Sequence, residues 1–172
     1  MPIDFNQNYF ELFGLEQSVN VNYKDLEKKY LEYQKKFHPD KYINGSDNQK
    51  MVSLQIISFI NEAYKILKDD YLKSIYLLKT AGYEIDNQSN ITISDREFLI
   101  HQVELREELE EITSKKNREK FSLFINKISE YKKKCIKDFE LNFSNNAFDQ
   151  ALNSIKKLKF YLSIENDLKR NR

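Results

Sequence analysis

The stretch "YKDLEKKYLEYQKKFHPDKY", Tyr23 to Tyr42, decides the fold. Tyr23, Leu26, Tyr30, Tyr33 and Phe37 recur at steps of three and four, which gathers them on one side of an α-helix. Asn22 stands before them as an N-cap. The helix must stop near Phe37, because Pro39 has no amide hydrogen and biases His38 away from the right-handed helical region. His38-Pro39-Asp40 is therefore expected in an exposed loop just past the helix C-terminus. On the helix, Lys24, Lys28 and Lys35 fall on one line roughly opposite the apolar stripe, with Lys29 and Lys36 between the two. Asp25, Glu27 and Glu32 dilute this face, so it is a moderate positive patch and not a nucleic-acid stripe.

Working outward, Gly45-Ser46 reads as a turn, and Ser46 and Gln49 have the spacing of a capping box. The helix they open carries Val52, Ile56, Phe59, Ile60, Ala63 and Leu67 as its expected apolar face and should pack antiparallel to the first. A shorter apolar segment, "YLKSIYLLKTAG", ends at Gly82, a natural C-cap. The polar run "GYEIDNQSN" then marks a boundary: residues 1–81 are expected to form one domain, 82–90 a linker, and 91–172 a second domain. In that second domain Ser94 and Glu97 form another capping-box pattern, opening a helix through about Ile112. Two more periodic stretches run from about Lys116 to Leu141 and from Asn146 to Lys169, which makes a three-helix bundle.

Composition agrees with an all-α fold. Only 3 Gly and 2 Pro serve 172 residues, too few for the turns of a many-stranded sheet. A net charge of +1 gives no global field toward nucleic acid or an anionic membrane, and no apolar run approaches the length of a membrane span. The N-terminal "MPIDFNQNYF" lacks a positive region and an apolar core, so a soluble chain of cytoplasmic type is expected. One cysteine and 2 histidines cannot supply an internal disulfide or an ordinary closed zinc or cluster site, and no cofactor is expected.

The segment "EFLIHQVELREELEEI", Glu97 to Ile112, has two apolar faces. Phe98, Leu105, Leu109 and Ile112 can fill a core, whereas Leu99, Ile100 and Val103 fall on the opposite side, bordered by Glu104, Glu107 and Glu111. Folding alone does not call for that second face; its composition is that of a partner site. In the last helix Phe148, Ala151, Ile155, Leu158 and Leu162 form the stripe, and Phe160 points far off it, as if joining a composite surface. Cys135 falls with Phe121, Phe124, Ile128 and Phe139 on a core stripe, which describes an inert buried thiol. His101 has no metal-like companion and reads as ordinary surface.

The basic-faced helix, the HPD triplet and the following "INEAYKIL" together resemble a J domain, the module by which co-chaperones engage an Hsp70 ATPase, over about Tyr9 to Leu78. The resemblance implies that His38, Pro39 and Asp40 are essential for stimulating ATP hydrolysis in the partner, and that this chain is not itself an enzyme. Lys24, Lys28, Lys35 and Lys41 are then candidates for pairing with an acidic Hsp70 surface. "NYFELFGL", "HPDKY", "YLLKTAGYEID", "VELREELEEI" and "KKLKFYL" narrow the resemblance to the HscB-type co-chaperones of iron-sulfur cluster assembly, over nearly the whole chain. That family implies a C-terminal bundle that holds an IscU-type scaffold and presents it to an HscA-type Hsp70. The matching scaffold-binding positions are Leu99, Ile100, Val103, Glu104, Glu107, Glu111 and Phe160.

The chain departs from the family where it reads "KDDYLKSIYLL": Asp70 and Lys73 stand where a proline and an arginine are frequent, so the junction there is expected to be built differently. Two alternatives compete with the leading reading. One keeps the J domain and gives the bundle another client. The other is a metal-dependent hydrolase using His38 and Asp40, whose loop offers no second ligand cluster.

Overall fold

A computed structural model describes residues 3–42, 45–85, 96–115 and 118–170. The described residues form seven α-helices, one 3-10 turn and no strand. They divide into two compact units, residues 1–77 and 78–172.

The first unit contains α1 (Tyr9–Phe13), α2 (Tyr23–Phe37), a 3-10 turn (Pro39–Tyr42), α3 (Asp47–Lys68) and the start of α4 (Asp70–Thr80). Five residues are too few for a helix to persist on propensity, so α1 depends on its ends and its packing. Asn8 and Glu11 close a capping box at its start, and Gly14, at φ 63°, turns the chain at its end. Phe10, Leu12 and Phe13 are buried, and the Tyr9 ring stacks on Tyr76 at 4.6 Å.

Helices α2 and α3 begin at the expected caps, Asn22 and Ser46, and run antiparallel. The register is visible in the partners: the end of α2 meets the start of α3 through Ser53 and Phe37, and Tyr30 stacks on Tyr64 at 3.9 Å. Leu26, Phe37, Ile56, Ile60, Ala63 and Leu67 make the core between them. Burying each of the larger side chains contributes roughly 1.5–3 kcal/mol.

One expected core residue is misplaced. Val52 is exposed, and the polar Ser53 beside it takes the buried slot. The Ser53 hydroxyl donates to the Phe37 carbonyl at 2.9 Å, satisfying one of the orphan carbonyls at the end of α2. A valine could fill that space but could not supply the donor.

Asp70 and Lys73, where the chain departs from the family pattern, lie at the start of α4. Asp69 accepts from the Leu72 amide at 2.9 Å and so caps α4 without a proline. The Lys73 ammonium is fully buried and donates to Asp70 Oδ1 at 2.8 Å and to the Tyr23 hydroxyl at 2.8 Å. Tyr23 in turn donates to Asp70. Burial, then the hydrogen bond to Asp70, holds the Tyr23 phenol protonated well above its usual range, so it stays a donor. This triad ties the start of α2 to the start of α4.

The second unit opens at Leu78, inside α4, and not at residue 91. The reason is local. Gly82, at φ 79°, closes α4 with paired bonds from the Gly82 amide to Lys79 and from the Tyr83 amide to Leu78, both 3.0 Å. Tyr83 then donates to Asp149 at 2.5 Å and packs against Phe148 at 5.8 Å, so this part of the expected linker is anchored. Residues 86–90 of that linker, and Ser94 of the expected capping box, lie outside the described residues.

Helices α5 (Arg96–Ser114), α6 (Arg118–Ser144) and α7 (Phe148–Arg170) form the three-helix domain. Neighbours run antiparallel: Lys127 pairs with Glu108 at 2.7 Å across α6 and α5, and Lys132 with Glu165 at 2.9 Å across α6 and α7. Phe124, Ile128, Cys135 and Phe139 of α6 interleave with Ala151, Ile155, Leu158, Ile164 and Leu168 of α7 in the core. Phe121 and Leu162, both expected in that core, are half-buried at its edge. No helix among the described residues is long and apolar enough to cross a membrane.

Candidate functional site

Two surfaces stand out, one on each unit. The first begins where α2 ends. His38, with ψ at 130°, has left the helix, and Pro39 opens the 3-10 turn, held by the Lys41 amide donating to the His38 carbonyl at 3.0 Å. The proline fixes its own φ and stops the helix from continuing, so the residues on either side are presented in one arrangement. His38 Nδ1 lies 3.3 Å from the Asp40 amide, which donates to the neutral ring, and 3.4 Å from the Asp40 carboxylate, which pairs with the protonated ring. Both side chains are exposed.

Lys24, Lys28, Lys35 and Lys41 are exposed too, and none enters an ion pair among the described residues. Their neighbours do find partners: Lys29 pairs with Glu32 at 3.3 Å, and Lys36 lies 5.0 Å from the Phe37 ring centroid. Lys24, Lys28 and Lys35 thus share the outer face of α2, as expected, and Lys41 lies in the turn that follows.

Among the described residues no group of three or more His, Cys, Asp or Glu side chains could hold a metal ion. An open hollow of about 440 Å³ is lined by Phe5, Met51, Leu54, Gln55 and Ser58, and none of these titrates as an acid or base in catalysis.

The second surface is the outer side of α5. Leu99, Ile100 and Val103 are 46%, 52% and 56% exposed, whereas Phe98, Leu105, Leu109 and Ile112 on the opposite side are buried. Glu104, Glu107 and Glu111 are exposed around them. Glu111 is held below the usual carboxylate range by Lys115 at 2.8 Å and by Lys120 beyond it, so it stays ionised.

Phe160 requires a correction. It is only 9% exposed and does not join an outer surface. Helix α7 has neighbours on two sides, so a residue off its main stripe is covered as well. Phe98 meets the Phe160 ring edge-on at 5.7 Å, and the Arg106 guanidinium lies over it at 5.8 Å. Phe160 therefore supports α5 from beneath.

His101 is also not plain surface. Its ring is half-buried, edge-on to Tyr131 at 5.0 Å, in a cluster with Phe98 and Tyr161. The signal was its place one turn after Phe98 on the core side. Cys135 is buried as expected; burial, with Asp138 adding, pushes its thiol up to about 11. Lys73 and Ser53, both structurally decisive, carried only the weak signals of a departure at one position and a serine within an apolar pattern.

An HPD turn on an antiparallel helical hairpin, followed by three helices with a second apolar face, defines a J-domain co-chaperone architecture. Sequence and structure comparisons agree. The family model described as the HSCB C-terminal oligomerisation domain matches residues 94–169. The chain is 34% identical to a co-chaperone protein HscB homolog of Vibrio vulnificus over 94% of each chain. Its fold superposes on chaperone HscB from Vibrio cholerae with a TM-score of 0.84, at 30% identity over 95% of this chain and 96% of that one. For human co-chaperone protein HscB the TM-score is 0.88, at 26% identity, covering 98% of this chain and 84% of that one. The chain belongs to the HscB co-chaperone family.

Proposed function

We propose that this chain is a non-catalytic adaptor of iron-sulfur cluster biogenesis: it binds an IscU-type scaffold, brings it to an HscA-type Hsp70 and stimulates that partner's ATPase. One observation supports this above the rest. Helices α2 and α5 each bury one side in the core of their own unit and leave the other exposed, and the two exposed sides differ in chemistry.

On the first unit, His38, Pro39, Asp40 and the unpaired Lys24, Lys28, Lys35 and Lys41 dock on the acidic surface of the Hsp70. The Pro39 turn lowers the ordering cost of binding, because the loop is shaped before the partner arrives. ATP hydrolysis takes place in the partner. On the second unit, Leu99, Ile100 and Val103 supply the apolar contact to the scaffold, and Glu104, Glu107 and Glu111 supply its charged border. Phe160 acts indirectly, by holding α5 in place.

The reading requires the two activities to separate. His38→Gln should leave scaffold affinity unchanged in calorimetric titration while removing stimulation. Leu99→Ala combined with Val103→Ala should weaken scaffold binding at least tenfold, a loss of about 1.4 kcal/mol or more, with stimulation by the free co-chaperone retained. Scaffold affinity unmoved by the double substitution would assign the α5 face to another client.

A further inference from the structure

Leu31 lies within the basic face of α2. At 100° per residue, Lys24, Lys28, Leu31 and Lys35 fall within a sector of about 60°, and Leu31 sits between Lys28 and Lys35 along the axis. It is 51% exposed, whereas the apolar residues that hold α2 to α3, Leu26 and Phe37, are buried on the other side. A single exposed leucine is ordinary on a protein surface. This one differs in its surroundings: three lysines with no ion pair of their own frame it. Of the acids nearby, Glu27, one turn before Leu31, lines a hollow with Tyr64 and Lys68 of α3, and Glu32 is paired with Lys29 at 3.3 Å.

We infer that Leu31 is the apolar anchor of the Hsp70-docking face, and that the partner's complementary surface is an apolar depression with an acidic rim. This rests on the adaptor reading above. An apolar centre within a charged border is the arrangement in which water is excluded from the middle of a contact while the charges set orientation and encounter rate. The lysines then govern how quickly the two proteins meet and how strongly salt weakens them; Leu31 governs how long the complex lasts.

The test is the ATPase rate of the cognate Hsp70, titrated with this protein at low and at physiological ionic strength. Leu31→Ala should raise the half-saturating concentration roughly tenfold, leave the maximal rate unchanged and leave the salt dependence as it was. Leu31→Met should restore half-saturation to within about twofold, because it returns the apolar volume. Lys28→Ala should instead flatten the salt dependence. Since Leu31 lies outside the core and alanine favours helix, the melting temperature of Leu31→Ala should match that of the parent protein. Half-saturation unmoved by Leu31→Ala, or a lowered maximal rate at unchanged half-saturation, would overturn the anchor while His38→Gln still abolished stimulation. A His38→Gln protein that stimulated normally would overturn the adaptor reading and the anchor with it.

Discussion

The exposed side of α2 and the exposed side of α5 are built on opposite terms. On α2 the outer face is mostly charged, and its lysines are kept free because the nearby acids are engaged or lie to the side. On α5 the outer face is apolar at its centre, and its acids form the border. The first kind of face works through long-range attraction and a shaped loop, with Leu31 as its one exposed apolar side chain. The second gains from water leaving apolar surface, and it requires a firm backing so that the patch is presented as one piece. Phe160 and Phe98 provide that backing, as Ser53 and Lys73 fix the two ends of α2.

If that contrast holds, supporting residues should matter for stability and face residues for binding. The largest effect is expected at Phe160. Truncation to alanine leaves a cavity under α5 and should cost about 3 kcal/mol or more in equilibrium denaturation, with loss of scaffold binding as a consequence. Leu99→Ala, on the exposed side of the same helix, should change stability by no more than about 0.5 kcal/mol while weakening the scaffold complex. Equal stability losses at the two positions would erase the distinction between backing and face.

Lys73→Ala should follow closely. Removing the ammonium leaves Asp70 and Tyr23 without their shared donor, and loss of one partner from a buried pair costs about 3 kcal/mol, somewhat less here because Asp70 is partly open to water. The variant should melt earlier, and stimulation should weaken at temperatures well below its transition.

The smallest effect concerns Cys135. Its folded-state value, pushed up to about 11, exceeds that of an unfolded thiol, about 8.5. The native chain therefore holds the proton in a range where the unfolded chain has released it, and stability should fall as pH rises from about 8.5 toward 11. Near neutrality the effect vanishes, and alkylation of the native thiol should be slow until denaturant is added; rapid labelling of the folded protein would show that α6 and α7 open readily there.

The helices and both faces were legible from spacing, because apolar periodicity states which side of a helix must be buried. Leu99, Ile100 and Val103 stood out for that reason. Spacing does not state which neighbours a helix acquires. Phe160 looked exposed on a wheel that assumes one buried side, and α7 buries two. Val52 and Ser53 were interchanged for a different reason: hydrophobicity ranks valine first, but the site adjoins an unsatisfied carbonyl and selects a donor. Lys73 was legible only as an oddity, since a buried lysine is recognisable after its partners, Asp70 and Tyr23, have been brought to it by the fold. The role of His38-Pro39-Asp40 came from family resemblance; three residues in a loop have no periodicity from which to argue.

If α2 docks the Hsp70 and α5 the scaffold, the two faces should act jointly on one ATPase. The most direct test is the steady-state ATPase rate of the cognate Hsp70, measured alone, with this protein, with the cluster scaffold, and with both. The account predicts that both together stimulate more than either alone, and that His38→Gln abolishes the gain. A rate that the pair leaves at the basal level, or a gain that survives His38→Gln, would contradict it.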